Sequence, residues 1–216
     1  MEKLSNWLNS TFNNFDSAFF NFTHALNVNA GGFFTPFFKF ITFFGNGGWL
    51  FIALGVILML FKKTRRYGLC MLIALGIGAL LTNIIIKKSV ARPRPFTTEQ
   101  FKPFWIKAGS TKVSEYSFPS GHTTSAMAAM TALFLCLNKK WSWLFFILAL
   151  IMGLSRIYLV VHYATDVIGG LIVGGISAVI GYFVVKYIYK YINKNLDKPF
   201  CKFIINADIK DLFSKN

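Results

Sequence analysis

Five apolar blocks, at residues 49–61, 69–86, 120–137, 141–161 and 167–189, constrain this chain more than any other feature. A hydrocarbon core of ~30 Å takes about 20 residues of helix. The last four blocks fit that length, and the first fits once Gly45 to Gly48 are added. A mean hydropathy of +0.52 is far above that of a soluble globular domain, so these residues need lipid around them. The expected fold class is all-α: a polytopic transmembrane helical bundle with five or six spans plus N-terminal interfacial helices.

The N-terminus reads as retained, because residues 1–16 are polar and no small-residue cleavage site follows an apolar core. Residues 17–44 hold two short aromatic blocks, broken at 27–32 and at Pro36. That pattern suits helices lying in the interface better than a straight span, with a sixth, tilted span as the alternative. No repeat or low-complexity linker divides the chain. It reads as one domain over residues 1–216: an interfacial region (1–47), a helical core (48–190) and a short cytoplasmic tail (191–216).

The net charge of +15 fits anionic lipid headgroups rather than nucleic acid, since no basic stripe occurs outside the loops flanking the spans. Cys70, Cys136 and Cys201 are odd in number and unpaired in spacing, which implies neither a disulfide framework nor a metal site. Lys62, Lys63, Arg65 and Arg66 follow the first span, Lys139 and Lys140 the third, and Lys186, Lys190, Lys194 and Lys198 close the fifth. Positive charge marks cytoplasmic loops, so the loops after spans two and four face outward and the C-terminus is cytoplasmic. Trp141, Trp143 and Trp49 fit interfacial belts on the two sides. Lys87, Lys88, Arg92 and Arg94 break the rule at the outward end of span two, and ask for another reason to be there.

Charged groups within or beside spans are costly, so each needs a partner or a task. His162 and Asp166 are four apart, which on a helix puts them on one face, about 6 Å apart along the axis. The carboxylate can then hold one imidazole nitrogen and leave the other unprotonated to attack. A buried pair that merely satisfies itself has the same spacing. Arg156 shares their cavity only if the chain breaks before His162, where span four must end, or if its long side chain reaches round. From Pro119, the residues Ser120, Gly121 and His122 read as a helix start, with Ser120 as N-cap and free N–H groups suited to an anion. An ordinary capped helix with a passive His122 fits equally. In the basic run, Arg94 between Pro93 and Pro95 has little backbone freedom, which suits a fixed fork on phosphate oxygens; snorkelling is the plain alternative. The topology brings all three segments to the outer face, where together they suggest a phosphate pocket.

The chain here resembles the type 2 phosphatidic acid phosphatase superfamily, which includes vanadium haloperoxidases and bacterial acid phosphatases. Lys87, Arg94 and Pro95 match its first motif. Pro119, Ser120, Gly121 and His122 match the second, and Ser155, Arg156, His162 and Asp166 the third. The resemblance implies that Lys87, Arg94 and Arg156 hold phosphate oxygens, with the Ser120 hydroxyl and the Gly121 backbone. It implies further that His162 attacks phosphorus, Asp166 orients His162, and His122 protonates the leaving oxygen and then activates water. Three fixed cations stand in for a metal, so no metal or cofactor is expected.

The implied function is a metal-independent lipid phosphatase at the outer leaflet of the cell membrane. Its expected partners are the membrane and a lipid phosphate or diphosphate: undecaprenyl pyrophosphate is favoured, with phosphatidylglycerol phosphate or phosphatidic acid as the other candidates. A haloperoxidase is disfavoured because its relatives in this superfamily are soluble. A silent lipid-binding or transport protein would be expected to have lost His122, His162 or Arg156. His24 reads as structural, and Lys112 and Glu115 as solvated loop charges.

Overall fold

A computed structural model describes residues 2–113, 116–137 and 140–210. Glu115, Lys139 and the end of the tail, 211–216, lie outside those residues. The regular elements are helices: α1 (Glu2–Thr11), α2 (Asn13–Gly45), α3 (Trp49–Leu60) and α4 (Arg65–Ala79). A π-helical segment (Leu80–Ile86) extends α4 into the single turn α5 (Lys87–Val90). Then follow α6 (Lys102–Ala108), α7 (Gly121–Leu137), α8 (Phe145–Tyr158), α9 (Ala164–Lys194) and α10 (Pro199–Asn206). The expected spans correspond in order to α3, the α4–α5 run, α7, α8 and α9. Among the described residues, Asn13–Leu60, Arg65–Thr97 and Ala164–Lys194 are long and apolar enough to cross a membrane, and the α7 and α8 regions are shorter apolar helices. The protein is an all-α membrane bundle.

Lipid tails are as apolar as leucine, so helices in a membrane associate by close van der Waals fit, which small residues permit. The bundle is built on such seams. A Cβ on Gly170 would stand 2.7 Å from the Ser120 carbonyl oxygen, and one on Gly174 would stand 2.6 Å from that of Thr124. These approaches run α7 and α9 side by side in the same direction. Gly181 meets the α4 backbone at Ala74, and Gly68 of α4 meets the Gly55 carbonyl of α3. Ala74, Ala128, Ala129, Ala132, Ala149 and Ala178 fill the core between these lines.

The alternation of directions collects the ends of α5 and α8 and the starts of α7 and α9 at one pole. Two backbone bonds fasten them: Ser120 N–H to the Asp166 carbonyl (3.0 Å) and Ser117 N–H to the Arg92 carbonyl (2.9 Å). At the other pole, the C-terminal segment folds back on the α3–α4 turn. Arg65 donates to the Ile204 and Ala207 carbonyls there, and Ile209 N–H donates to Leu60 (3.1 Å).

The N-terminal region differs from the expectation of separate aromatic helices. Both aromatic blocks belong to one helical element, α2, bent at Ala30 (φ −147°, ψ 33°) with Pro36 inside its second half. Side chains bridge the bend. Asn27 Nδ2 donates to Thr35 Oγ1 (3.1 Å) and to the Tyr158 hydroxyl (2.9 Å), and Thr35 and Tyr158 share a further bond of 2.7 Å. The partners of α2 run from Thr165 at Asp16, through Phe101, Tyr163 and Tyr158, to Met152 and His122 at Gly45. All of them lie at or within about one turn of the pole where the motifs meet. His24 stacks flat on Phe104 of α6 (3.9 Å).

The α7–α9 seam predicts a sharp contrast between adjacent glycines. Gly174→Leu forces a side chain into the α7 backbone and should lower stability by about 1–3 kcal/mol. Gly175→Leu, whose Cβ meets only the end of Met127 at 4.0 Å, should be near neutral. Unfolding midpoints of the two variants in the same detergent check this.

Candidate active site

Each basic motif is folded by ending a helix abruptly. Lys87 sits on the last turn of the α4–α5 run; Ala91, at φ 50°, then reverses the chain. The Ala91 N–H bonds back to the Lys87 carbonyl (2.9 Å), and Arg94 follows in extended backbone (φ −78°, ψ 150°). The third motif repeats the device. Arg156 is on the last turn of α8, Val160 takes φ 55°, and the N–H groups of Val161 and His162 return to the Arg156 carbonyl (3.2 and 3.4 Å). Left-handed backbone at a β-branched residue costs on the order of 1–3 kcal/mol, and it returns His162 to the side of Arg156. The break expected between them is therefore present.

The relation of His162 to Asp166 needs correction. The two do not share a helix face, because His162 precedes α9, which starts at Ala164. Asp166, in the first turn of α9, reaches back over the helix start: its Oδ2 accepts the Tyr163 N–H (2.9 Å) and lies 3.3 Å from His162 Nδ1. Arg94 Nη1 lies 3.1 Å from His162 Nε2 and donates to the Val161 carbonyl (2.8 Å). A guanidinium can only donate, so Nε2 is the accepting nitrogen and Nδ1 carries the proton toward Asp166. Burial, then the Arg94, Arg156 and Lys87 charges, hold the His162 pKa well below the ordinary imidazole value, so the ring is neutral.

A cavity of about 560 Å³ opens onto Lys87, Arg94, Gly121, His122, Arg156 and His162. Asp166 stands behind His162, outside the lining. Ser120 is also outside it, fully buried beneath Gly121, where its oxygen accepts the Thr123 hydroxyl (2.9 Å). Arg156 donates to Thr42 Oγ1 of α2, yet its buried Nε has no acceptor among the described residues. An unpaired buried N–H costs about 1–3 kcal/mol. Away from the charges, the cavity continues along Ile52, Leu72, Leu75 and Gly76 between α3 and α4. One wall is thus cationic and the other hydrocarbon.

Sequence reading missed three contributions from the N-terminal third. Asn46 Oδ1 lies 2.9 Å from His122 Nε2, and Thr42 holds Arg156. Asp16 is paired with Arg92 (2.8 Å), which also pairs with Asp166 (2.7 Å) and faces away from the cavity; Lys88 is exposed. Asp16 did carry a signal, as a lone carboxylate at the edge of an apolar stretch, where an acid needs a partner. Nothing in the spacing marks Asn46 or Thr42.

Residues 67–194 match the profile of the PAP2 superfamily. The chain is 32% identical over 127 residues to an undecaprenyl-diphosphatase of Sulfolobus acidocaldarius, covering 58% of this chain and 59% of that protein. It is 31% identical over 166 residues to undecaprenyl-diphosphatase BcrC of Bacillus subtilis, covering 77% and 78%. The first of these matches spans about three-fifths of the relative's length. The fold is similar to the crystal structure of a transmembrane PAP2-type phosphatidylglycerolphosphate phosphatase from Bacillus subtilis. There the TM-score is 0.61 at 27% identity, over 88% of this chain and 92% of that one.

A test of the geometry lies at Gly45. A Cβ there would stand 2.5 Å from His122 Cδ2 and 2.7 Å from Met152 Sδ. Gly45→Ala should therefore displace the imidazole and lower kcat about 10- to 100-fold, while leaving the unfolding midpoint nearly unchanged because Met152 can move aside. Turnover and melting measured on one preparation separate the two effects.

Proposed function

The chain belongs to the PAP2 superfamily, and on that premise we propose that it is an integral membrane lipid phosphatase working through a phosphohistidine. One observation carries the reading: the accepting Nε2 of His162 faces a cavity with one wall of fixed cations and one of hydrocarbon. In this reading a lipid phosphate sits with its oxygens on Lys87, Arg94 and Arg156 and on the N–H groups at the start of α7, around Gly121. Ser120 supports that helix start from behind. The lipid chain lies along Leu72, Leu75 and Gly76.

His162 Nε2 attacks phosphorus, and the bond from phosphorus to the leaving oxygen breaks. His122, protonated in the bound complex by the proximity of the phosphate charge, gives its proton to that oxygen. The dephosphorylated lipid departs. His122, now neutral, takes a proton from a water that attacks the phosphohistidine, releasing inorganic phosphate and restoring His162. Asp166 keeps the ring in its Nδ1–H form and balances the charge it gains. Phosphoryl transfer asks mainly for positioning and neutralised equatorial oxygens, which three fixed cations supply.

The site faces the extracytoplasmic leaflet and the C-terminus the cytoplasm in this reading. Support comes from the cations at the opposite pole, Lys62, Lys63, Arg65 and Arg66. The bent α2, whose partners lie around the site's pole, then rests in the outer interface. A polyprenyl diphosphate is the favoured substrate, with the two diphosphatase relatives as support, and phosphatidylglycerol phosphate and phosphatidic acid are the competing headgroups.

Purified protein in detergent, given these lipids with excess chelator, should release phosphate. His162→Ala should abolish release, and His122→Ala should slow it by ~10² or more. Activity surviving His162→Ala removes the assigned nucleophile, and full inhibition by chelator removes the metal-independent mechanism.

The hydrocarbon wall makes a separate prediction. A side chain at Gly76 would meet no protein atom within 4 Å and would project into the cavity. Gly76→Leu should raise KM for long-chain substrates about tenfold, the equivalent of 1.4 kcal/mol, and leave hydrolysis of a water-soluble aryl phosphate unchanged. Paired kinetics on the two substrates decide it.

A further inference from the structure

Arg92 stands in the same run as Lys87 and Arg94, yet its charge is spent elsewhere. Its guanidinium is fully buried and lies 3.8 Å from the centre of the Tyr163 ring. Nε donates to Asn9 Oδ1 (2.8 Å), and Nη1 donates to Thr165 Oγ1 and Asp166 Oδ1 (both 2.7 Å). Nη2 donates to Asp16 Oδ2 (2.8 Å). Asp16 in turn accepts the Thr165 backbone N–H (2.9 Å) and the Thr165 hydroxyl. A carboxylate from α2 therefore caps the first turn of α9, one residue before Asp166.

We propose that Asp16 and Arg92 are positioning residues for the reaction: Asp16 offsets the charge of Arg92, so that Asp166 keeps its own for His162. Asp166 uses Oδ1 on Arg92 and Oδ2 on the Tyr163 N–H and His162 Nδ1. With Asp16 ionised, the trio Asp16, Arg92 and Asp166 has a net charge of −1 behind the imidazole. His162 becomes cationic as the bond to phosphorus forms, and that net anion stabilises it. Without the Asp16 charge the trio is neutral, and Arg92 competes with the imidazole for Asp166 at the moment the ring needs it. Burial makes the competition strong, because water is not there to screen it. Asp16 and Arg92 do not line the cavity, so they act through Asp166 and the start of α9.

This inference rests on His162 as the nucleophile, and the experiment is chosen to tell the two apart. Asp16→Asn, Arg92→Gln and the double variant are compared with the parent and with His162→Ala on one lipid substrate, using the fraction that elutes as native protein in detergent. Asp16→Asn should lower kcat about 10- to 100-fold with KM within about threefold. The double variant removes both the competing cation and its counter-charge, so it should lose less than the product of the two single losses. A kcat for Asp16→Asn within about twofold of the parent overturns the proposal, as does a double loss equal to that product. A merely structural contact lowers the native fraction and leaves kcat within that twofold. Should Asp16→Asn yield no native fraction, Thr165→Val removes the hydroxyl between the two charges and keeps both. It should lower kcat several-fold at constant KM, and parental kinetics there overturn the proposal as well. Activity retained by His162→Ala removes the nucleophile and this inference with it. Activity lost in that variant, beside an unaffected Asp16→Asn, removes this inference alone.

Discussion

Three cations facing one cavity repel one another, and holding them side by side is the demand that shapes the rest of this fold. Lys87, Arg94 and Arg156 all border the same space, and Arg94 and Arg156 are almost wholly enclosed. Side-chain freedom alone would let them swing apart into water. Instead the guanidiniums are fixed by neutral acceptors, the Val161 carbonyl for Arg94 and the Thr42 hydroxyl for Arg156. A neutral acceptor fixes the direction of a guanidinium without removing its charge. Arg92, which pairs with both Asp16 and Asp166, is turned away from the cavity.

The backbone meets the same demand in two places by one means. Lys87 and Arg94 lie on either side of Ala91, and Arg156 and His162 on either side of Val160; both intervening residues adopt left-handed backbone without being glycine. A continuing helix would carry the second member of each pair off at its own angle. The reversal brings it back beside the first. Rigid seams carry the cost, because the Gly170 and Gly174 approaches lock the start of α7 to that of α9 and leave the reversed segments little room to relax.

The apolar blocks were legible because lipid sets their length, and the site residues because three short patterns carry them. Topology then placed the patterns at one pole. What the sequence could not convey is why His162 and Asp166 meet. A spacing of four suits a helix face, but the same spacing arises when a residue ahead of a helix is reached by a carboxylate in its first turn. Periodicity does not distinguish the two. The bend in α2 was visible as a break at residues 27–32, while the bridge that holds both halves in one element depends on Tyr158, far away in the chain. Asn46 and Thr42 were hidden for the same reason: each acts on a residue more than 70 positions distant, across a packing no local pattern encodes.

The N-terminal helix and the pole that gathers the motif residues are consequently one physical unit. The segment from Asp16 to Asn46 touches the site at three separate points: Asp16 at the Arg92–Asp166 pair, Thr42 at Arg156, and Asn46 at His122. Each contact reaches a different group, one behind His162, one on a cation that lines the cavity and one on the second imidazole. A rigid-body shift of the segment would alter all three together, whereas the motif segments would keep their own backbone bonds, Ser120 to Asp166 and Ser117 to Arg92. The bend at Ala30 lets one continuous element meet points that a straight helix could not reach together. Its aromatic face, with Phe22, Phe33, Phe40 and Phe43 exposed, presents hydrocarbon outward along the same length. The outward aromatic face and the contacts to Arg92, Arg156 and His122 therefore belong to one and the same segment.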